Sequence, residues 1–191
     1  MGRIIIDIGH GLYEGLLASD RRFDPGAVSK LTEPSEFDLN LYTAVALQER
    51  LQSLGHFAAF VPFGLELLSR GRMAKDFDVF LSIHHNASEE RTAQGSECCV
   101  HDVHSRPADL ELGIRIAESV AGALGIPDRG IVRRRLAVLS GARKTNVKAA
   151  VLVEGFFMDT PGLPYGVWPI VEGRAIAAAV HAFLQAGNPV A

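Results

Sequence analysis

Residues 79–87 read V-F-L-S-I-H-H-N-A, an apolar run that leads straight into two adjacent histidines. Such a run predicts a buried β-strand that ends at His84. Two further strand-like stretches end beside a chemically useful side chain: residues 3–7 precede His10, and residues 149–153 precede Glu154. Open α/β sheets place their reactive groups in the crevice at the carboxyl ends of the strands. The sequence therefore predicts such a sheet, with side chains suited to metal or proton chemistry along one edge.

Length and composition favour one globular domain. The chain has 191 residues, 48% apolar and 21% charged, which suits a single catalytic domain over residues 1–191 with a well-formed core. A net charge of -3 argues against a nucleic-acid-binding protein, whose surface is usually strongly basic. The apolar runs are too short for a membrane span, and the N-terminus lacks the layout of a signal peptide. Because Cys98 and Cys99 are adjacent, no disulfide framework is expected. The protein is expected to be a monomer.

The order of the predicted elements indicates the fold class. Strands are predicted at residues 3–7, 56–61, 78–83, 95–101 and 149–153, with a short strand at 136–139, and helices at 65–75, 110–124 and 168–185. Another helix starts within residues 32–36 and ends at Gly55. The stretch from Gly9 to about Thr32 is expected to be a long loop. This alternation predicts an α/β domain with a mainly parallel, twisted sheet of about six strands and helices on both faces.

His10 and His84 are the first candidates for metal ligands. His10 lies between two glycines that let the backbone turn sharply, although a loop histidine with a satisfied hydrogen bond is the plainer interpretation. His84 and His85 are neighbours on a strand, so one imidazole should point into the crevice and the other away from it. Glu36 could add a carboxylate from a helix start, where the helix dipole alone also favours an acid. The spacing of these residues matches no short zinc motif.

Several short stretches, in order along the chain, carry a family likeness. They read I-I-I-D-I-G-H-G (residues 4–11), D-P-G-A (24–27), E-F-D-L-N-L (36–41), V-F-L-S-I-H-H-N-A (79–87) and V-L-V-E-G-F-F-M-D (151–159). Together they resemble the motifs of the zinc-dependent N-acetylmuramoyl-L-alanine amidases, which are peptidoglycan hydrolases with one catalytic domain of about this length. The resemblance covers nearly the whole chain, and the ordered set is far more specific than any single motif.

The resemblance implies one catalytic Zn²⁺ ion held by His10, Glu36 and His84, with Glu36 chosen over Glu33 by the helix-start motif. Two imidazoles and one carboxylate leave the fourth tetrahedral position open, as in a catalytic rather than a structural zinc site. Zinc lowers the pKa of its bound water to about 7. Glu154 would take the proton from this water and pass it to the departing amine. The alternative role for Glu154 is to orient a zinc histidine.

The same resemblance implies that the scissile bond joins N-acetylmuramic acid to the L-alanine of the stem peptide, so peptidoglycan is the expected partner. A zinc peptidase or deacetylase stays open as an alternative, because the zinc chemistry is the same for any amide and specificity lies in loops. A wall-binding module without turnover is disfavoured by the intact Glu154. The sequence favours a lysis or autolytic role at the cell wall after release, by a route that it does not identify.

A basic region and a few isolated side chains complete the candidates. The basic residues are Arg129, Arg133, Arg134, Arg135, Arg143 and Lys144. Such a run is usually a solvated face, although an arginine fork could bind the carboxylates of a stem peptide, and at most one or two should touch substrate. His101 and His104 beside the cysteine pair fit no zinc template, so no second metal site is predicted. Residues 156–158 are expected in the core, and Asn86 either assists the site or caps a turn.

Overall fold

A computed structural model of the chain describes residues 1–14, 21–28, 34–160 and 162–186, along which strands and helices alternate. The strands are β1 Arg3–Ile8, β2 Gly11–Glu14, β3 Arg21–Asp24, β4 Phe57–Phe60, β5 Val79–Asn86, β6 Ser96–His101, β7 Asp128–Arg134 and β8 Ala149–Phe157. The helices are α1 Glu36–Ser53, α2 Leu67–Arg72, α3 Pro107–Leu124, α4 Ala137–Ala142 and α5 Trp168–Ala186. Within these residues, no helix combines the length and the apolar character needed to cross a membrane.

Six of the strands form one sheet in the order β4-β1-β5-β8-β6-β7. Neighbouring strands run parallel, except that β6 is antiparallel to β8. The predicted single α/β domain with a mainly parallel sheet of six strands is confirmed. Because β1, β5 and β8 run side by side in the same direction, the residues at their carboxyl ends meet at one edge of the sheet.

Helices cover both faces of this sheet, as predicted. Leu81 and Val151 point into the core under α1, α3 and α5, whereas Phe80 and Leu152 point into a second core under α4. All four side chains are almost fully buried. Strands buried on both faces need an apolar side chain at nearly every position, which explains the continuous apolar runs of β5 and β8.

The start of α1 sets the position of Glu36. Ser35 is the N-cap, and its hydroxyl oxygen accepts a hydrogen bond from the Asp38 backbone N–H at 3.3 Å. The Asp38 carboxylate accepts in return from the Ser35 backbone N–H at 2.9 Å. This reciprocal pair, a capping box, fixes the first turn. Glu36 is therefore the first helical residue, and its side chain projects from the helix N-terminus.

Two predictions about local structure are wrong. Part of the loop expected between Gly9 and Thr32 is an antiparallel hairpin of β2 and β3, while residues 15–20 and 29–33 lie outside the described part of the chain. The hairpin is held by a tertiary contact that local sequence does not reveal, since the Phe23 ring lies edge-on to Phe37 of α1 with ring centroids 5.3 Å apart. Residues 136–139 were expected as a strand, but Leu136 is the N-cap of α4 and the other three form its first turn; the strand of this region is β7. As a half-exposed edge strand, β7 needs no apolar run, so its charged sequence conceals it.

Candidate metal and active site

Three side chains from different elements converge at the carboxyl edge of the sheet. His10 follows β1, Glu36 begins α1, and His84 lies near the end of β5. One possible ligand atom from each residue lies within 4.8 Å of the other two, and no other such group occurs in the described ranges. The Glu36 Oε1 atom is 3.1 Å from His10 Nε2 and 2.9 Å from His84 Nδ1. The structure thus brings the predicted trio together around one carboxylate oxygen.

Glycines let these three side chains approach closely. His10 itself has a φ of 62°, a left-handed conformation that side chains rarely adopt, and it aims the imidazole back at α1. A Cβ atom added at Gly9 would lie 2.4 Å from the His84 ring. A Cβ atom added at Gly26 would lie 2.7 Å from both Glu36 Oε2 and His10 Cδ2. The backbone therefore forms a cradle that any larger residue at either glycine would fill.

Asp24, at the end of β3, holds the orientation of His10. Its Oδ2 atom lies 2.8 Å from His10 Nδ1, and its Oδ1 atom accepts a hydrogen bond from the Gly26 N–H at 2.9 Å. With the carboxylate as acceptor, His10 Nδ1 carries the proton and Nε2 faces Glu36. A carboxylate behind a histidine in this way is a common feature of metal sites. Asp24 lies in the motif of residues 24–27, but nothing in the local sequence indicates this role.

The charges of the trio reflect this packing. Burial favours the neutral imidazole of His10, but the contacts with Glu36 and Asp24 outweigh this effect and raise the pKa of His10 to about 9. Burial also favours the neutral form of Glu36, which would raise its pKa. Hydrogen bonds from His10 and His84 outweigh this and hold the pKa of the carboxyl group well below its usual range. The donor set of two imidazoles and one carboxylate, in a cradle that excludes larger side chains, fits a zinc ion with an open coordination position.

Glu154 stands beside the trio without joining it. On β8 it lies directly opposite His84 of β5, and adjacent strands are about 4.8 Å apart. On its other side it pairs with Glu97 of β6. Burial raises the pKa of Glu154, and the nearby His84 only partly opposes that effect. A partly buried carboxyl group of raised pKa next to a possible metal site is suited to carrying a proton near neutral pH.

His85 faces away from the trio, as the alternation along a strand predicts. Its Nδ1 atom lies 2.7 Å from Asn40 Oδ1, and its Nε2 atom lies 2.8 Å from Glu172 Oε2. Thr43 donates to the same Glu172 oxygen at 3.0 Å, and the Asn40 amide donates to the Gly9 carbonyl at 3.1 Å. This buried network ties α1 and α5 to the loop just before His10. Glu172 was missed because nothing local distinguishes it from other glutamates on a helix.

The cysteine pair and residues 156–158 serve the packing of the domain. In the described part of the chain the cysteine pair forms no metal cluster: both thiols are buried, and His101 Nε2 lies 3.1 Å from Ser140 Oγ. Residues 156–158 are buried, as expected for the core. Asn86 donates a hydrogen bond to Glu97 at 3.2 Å, a partner that lies on another strand and was not predicted.

Comparison with known proteins identifies relatives of the whole domain. Residues 4–162 match the N-acetylmuramoyl-L-alanine amidase family. The chain is similar to an N-acetylmuramoyl-L-alanine amidase from Clostridium difficile 630, with 26% identity, 97% of each chain covered and a TM-score of 0.80. It is also similar to the catalytic domain of CwlV, an N-acetylmuramoyl-L-alanine amidase from Bacillus (Paenibacillus) polymyxa var. colistinus, with 25% identity, 97% of this chain and 99% of that chain covered and a TM-score of 0.78. AmiC2 of Nostoc punctiforme shares the fold at 24% identity over 95% of this chain and 96% of its own, with a TM-score of 0.77. A comparison with curated protein sequences gives no match.

Proposed function

Because this chain belongs to the N-acetylmuramoyl-L-alanine amidase family and is a hydrolase of peptidoglycan, we propose that it works with one zinc ion held by His10, Glu36 and His84. The observation that carries this proposal is the position of Glu36 Oε1, within 3.1 Å of a nitrogen of both histidines. The substrate amide joins N-acetylmuramic acid to the L-alanine of the stem peptide. Its hydrolysis releases a glycan strand and a free peptide.

The protein prepares its ligands by fixing their orientation. Asp24 keeps a proton of His10 on Nδ1, so it is Nε2 that faces the site and offers its lone pair once its own proton has left. The second oxygen of Glu36 accepts a hydrogen bond from the Ala27 N–H at 3.0 Å, which leaves Oε1 directed at the two imidazoles. The glycine cradle then holds the rings in place. These contacts favour metal binding, because the side chains are already held in place and would lose little conformational entropy when the metal binds.

Glu154 carries the proton through the reaction. When bound, zinc supplies Lewis acidity, which makes water acidic enough to ionise near pH 7 and polarises a carbonyl group. The Glu154 carboxylate accepts a proton from the attacking water as the new C–O bond forms. It then donates that proton to the alanine nitrogen as the C–N bond breaks, so the amine leaves neutral. Burial of Glu154 supports this role, because a raised pKa brings its two protonation states closer in free energy at neutral pH.

The test is mass spectrometry of purified peptidoglycan digested by the zinc-loaded protein and by its Glu154→Gln variant. Free stem peptides with a new N-terminal L-alanine should accumulate with the unaltered protein. Glutamine has nearly the same shape but cannot shuttle the proton, so we expect at least a hundredfold slower release. Glu118→Gln, an exposed position on α3, is the matched control and should retain full activity.

Four outcomes would contradict the proposal, each in a different way. Released acetate without free stem peptides would indicate deacetylation, and cleavage within the stem peptide would indicate a peptidase. Full activity after zinc is removed with a chelator would contradict the metal site. A Glu154→Gln variant that binds zinc normally and still releases peptides at the original rate would remove Glu154 from the mechanism.

A further inference from the structure

The structure separates the basic residues of the 129–144 region into two groups. Arg143 is buried, with an Nη1 atom 3.3 Å from a carboxylate oxygen of Asp109, so it stabilises the packing of α3. Arg133 donates to the Ser105 hydroxyl at 2.6 Å, and Arg135 pairs with Asp102, so both are engaged elsewhere. Two arginines behave differently, because both reach a carboxylate that adjoins Glu154. These are Arg129 and Arg134.

The carboxylate that they share is Glu97, which is only 3% exposed. Arg129 Nε donates to Glu97 Oε2 at 2.7 Å, and Arg134 Nη2 lies 3.6 Å from Glu97 Oε1. The Asn86 amide donates to the same Oε1 atom at 3.2 Å. A buried carboxylate is costly unless it is paired and hydrogen-bonded, so Glu97 anchors both arginines. Two cations around one anion leave the group with one net positive charge beside the site.

Arg129 is held in a position that leaves part of its guanidinium available. The guanidinium carbon lies 5.1 Å from the centre of the Phe157 ring, and the aliphatic part of the side chain lies against Gly95. Its bond to Glu97 uses Nε alone, and no described residue bonds its terminal nitrogens. Its side chain is 44% exposed, and that of Arg134 is 48% exposed. Arg129 thus presents a planar pair of N–H donors of the kind that binds a carboxylate with two hydrogen bonds.

The location of this group matches the reach of a bound peptide. Glu97 pairs with Glu154 on one side and with Gly130 on the other, so Arg129 lies about two strand spacings, or about 10 Å, from Glu154. An extended chain advances about 3.5 Å per residue. A ligand whose first residue is at Glu154 would therefore bring its second or third residue to Arg129.

We propose that Arg129 and Arg134, anchored by Glu97, form a subsite that binds a carboxylate of the stem peptide two or three residues beyond the scissile amide. This inference rests on the proposed function, because it places the scissile bond at Glu154. The subsite selects for stem peptides that carry free carboxylates over peptides in which these groups are amidated. Its role is recognition rather than bond cleavage.

The experiment compares two soluble N-acetylmuramoyl peptides that differ only in whether the stem carboxylates are free or amidated. Charge-assisted hydrogen bonds to a carboxylate are worth roughly ten- to a hundredfold in affinity. We expect the unaltered protein to cleave the free form with a kcat/KM about tenfold or more above that of the amidated form, mainly through KM. Arg129→Gln together with Arg134→Gln should abolish this preference, so that the variant cleaves the free and the amidated substrates with the same kcat/KM.

Arg115→Gln on α3 is the control, because this exposed arginine pairs with Glu111 and should keep the preference. The comparison of substrates on the unaltered protein needs no variant, so it holds even if loss of Arg129 disturbs the buried Glu97. Equal kcat/KM for both substrates would overturn the subsite while leaving the amidase activity standing. An equal loss on both substrates in the double variant would also overturn it, since that pattern indicates a structural role. Failure of the unaltered protein to cleave either substrate would instead overturn the proposed function.

Discussion

Replacement of Asp24 by asparagine should weaken zinc binding, and more strongly at high pH than at neutral pH. The two oxygens of Asp24 accept separate hydrogen bonds, from His10 Nδ1 at 2.8 Å and from the Gly26 N–H at 2.9 Å. Asparagine has one acceptor oxygen, so one of these two bonds must be lost. Whichever hydrogen bond is lost, His10 no longer has a negative charge beside Nδ1. That charge stabilises the ring when Nε2 binds a metal.

The size of the effect follows from the exposure of Asp24. Loss of the partner behind a metal-binding histidine lowers metal affinity by about 10- to 100-fold. Because the Asp24 side chain is 43% exposed, we expect the lower end of that range, about tenfold. This value applies near pH 9.5, where most His10 side chains are already deprotonated in the metal-free protein.

At pH 7 a bound proton reduces the effect. The pKa of His10 is about 9 in the metal-free protein, so zinc must displace a proton, at a cost of about a hundredfold in apparent affinity. Asp24 stabilises that proton as well as the metal. The substitution therefore lowers the pKa of His10 and relieves part of the competition, and the net loss at pH 7 should be only about two- to threefold.

Competition with a chromophoric zinc chelator at pH 7 and pH 9.5 measures both values. Asp102→Asn is the control, because that carboxylate lies 3.0 Å from His101 and away from the trio, and its loss should leave zinc affinity unchanged. A loss at pH 7 that equals or exceeds the loss at pH 9.5 would refute the proton-competition argument. Unchanged affinity at both pH values would remove Asp24 from the support of His10.

Gly9→Ala should displace the ring of His84, since the new methyl group would lie 2.4 Å from it, and should lower zinc affinity at least tenfold in the same chelator assay. Gly122→Ala is the matched change on open helix surface, where we expect a gain of about 0.5–1 kcal/mol in the free energy of unfolding and no effect on zinc. Glu172→Ala would leave His85 buried without its partner and should cost about 3 kcal/mol in urea unfolding; a loss below 1 kcal/mol would show that the buried network contributes little.

The elements that carry the site were predictable because their sequence signal is strong and local. The strands before His84 and Glu154 are apolar at nearly every position, which only a strand buried on both faces requires. The trio proposed to bind the metal is indicated by family resemblance, since its spacing alone matches no zinc motif. Three roles were not predicted, those of Asp24, Glu97 and Glu172, because each depends on a partner in another element. Glu172, for example, lies 87 residues from its partner His85 in the chain.

The α/β class, the strands β1, β5 and β8, and the types of side chain at their ends could be read from the sequence alone. These features follow from the local periodicity of apolar residues, which reports which positions are buried. Tertiary structure was needed to show that one oxygen of Glu36 lies between two imidazoles, that Asp24 contacts His10, and which of the arginines pair with Glu97. Such polar contacts join residues that are distant in the chain, so their geometry is set by how the elements pack and not by any local pattern.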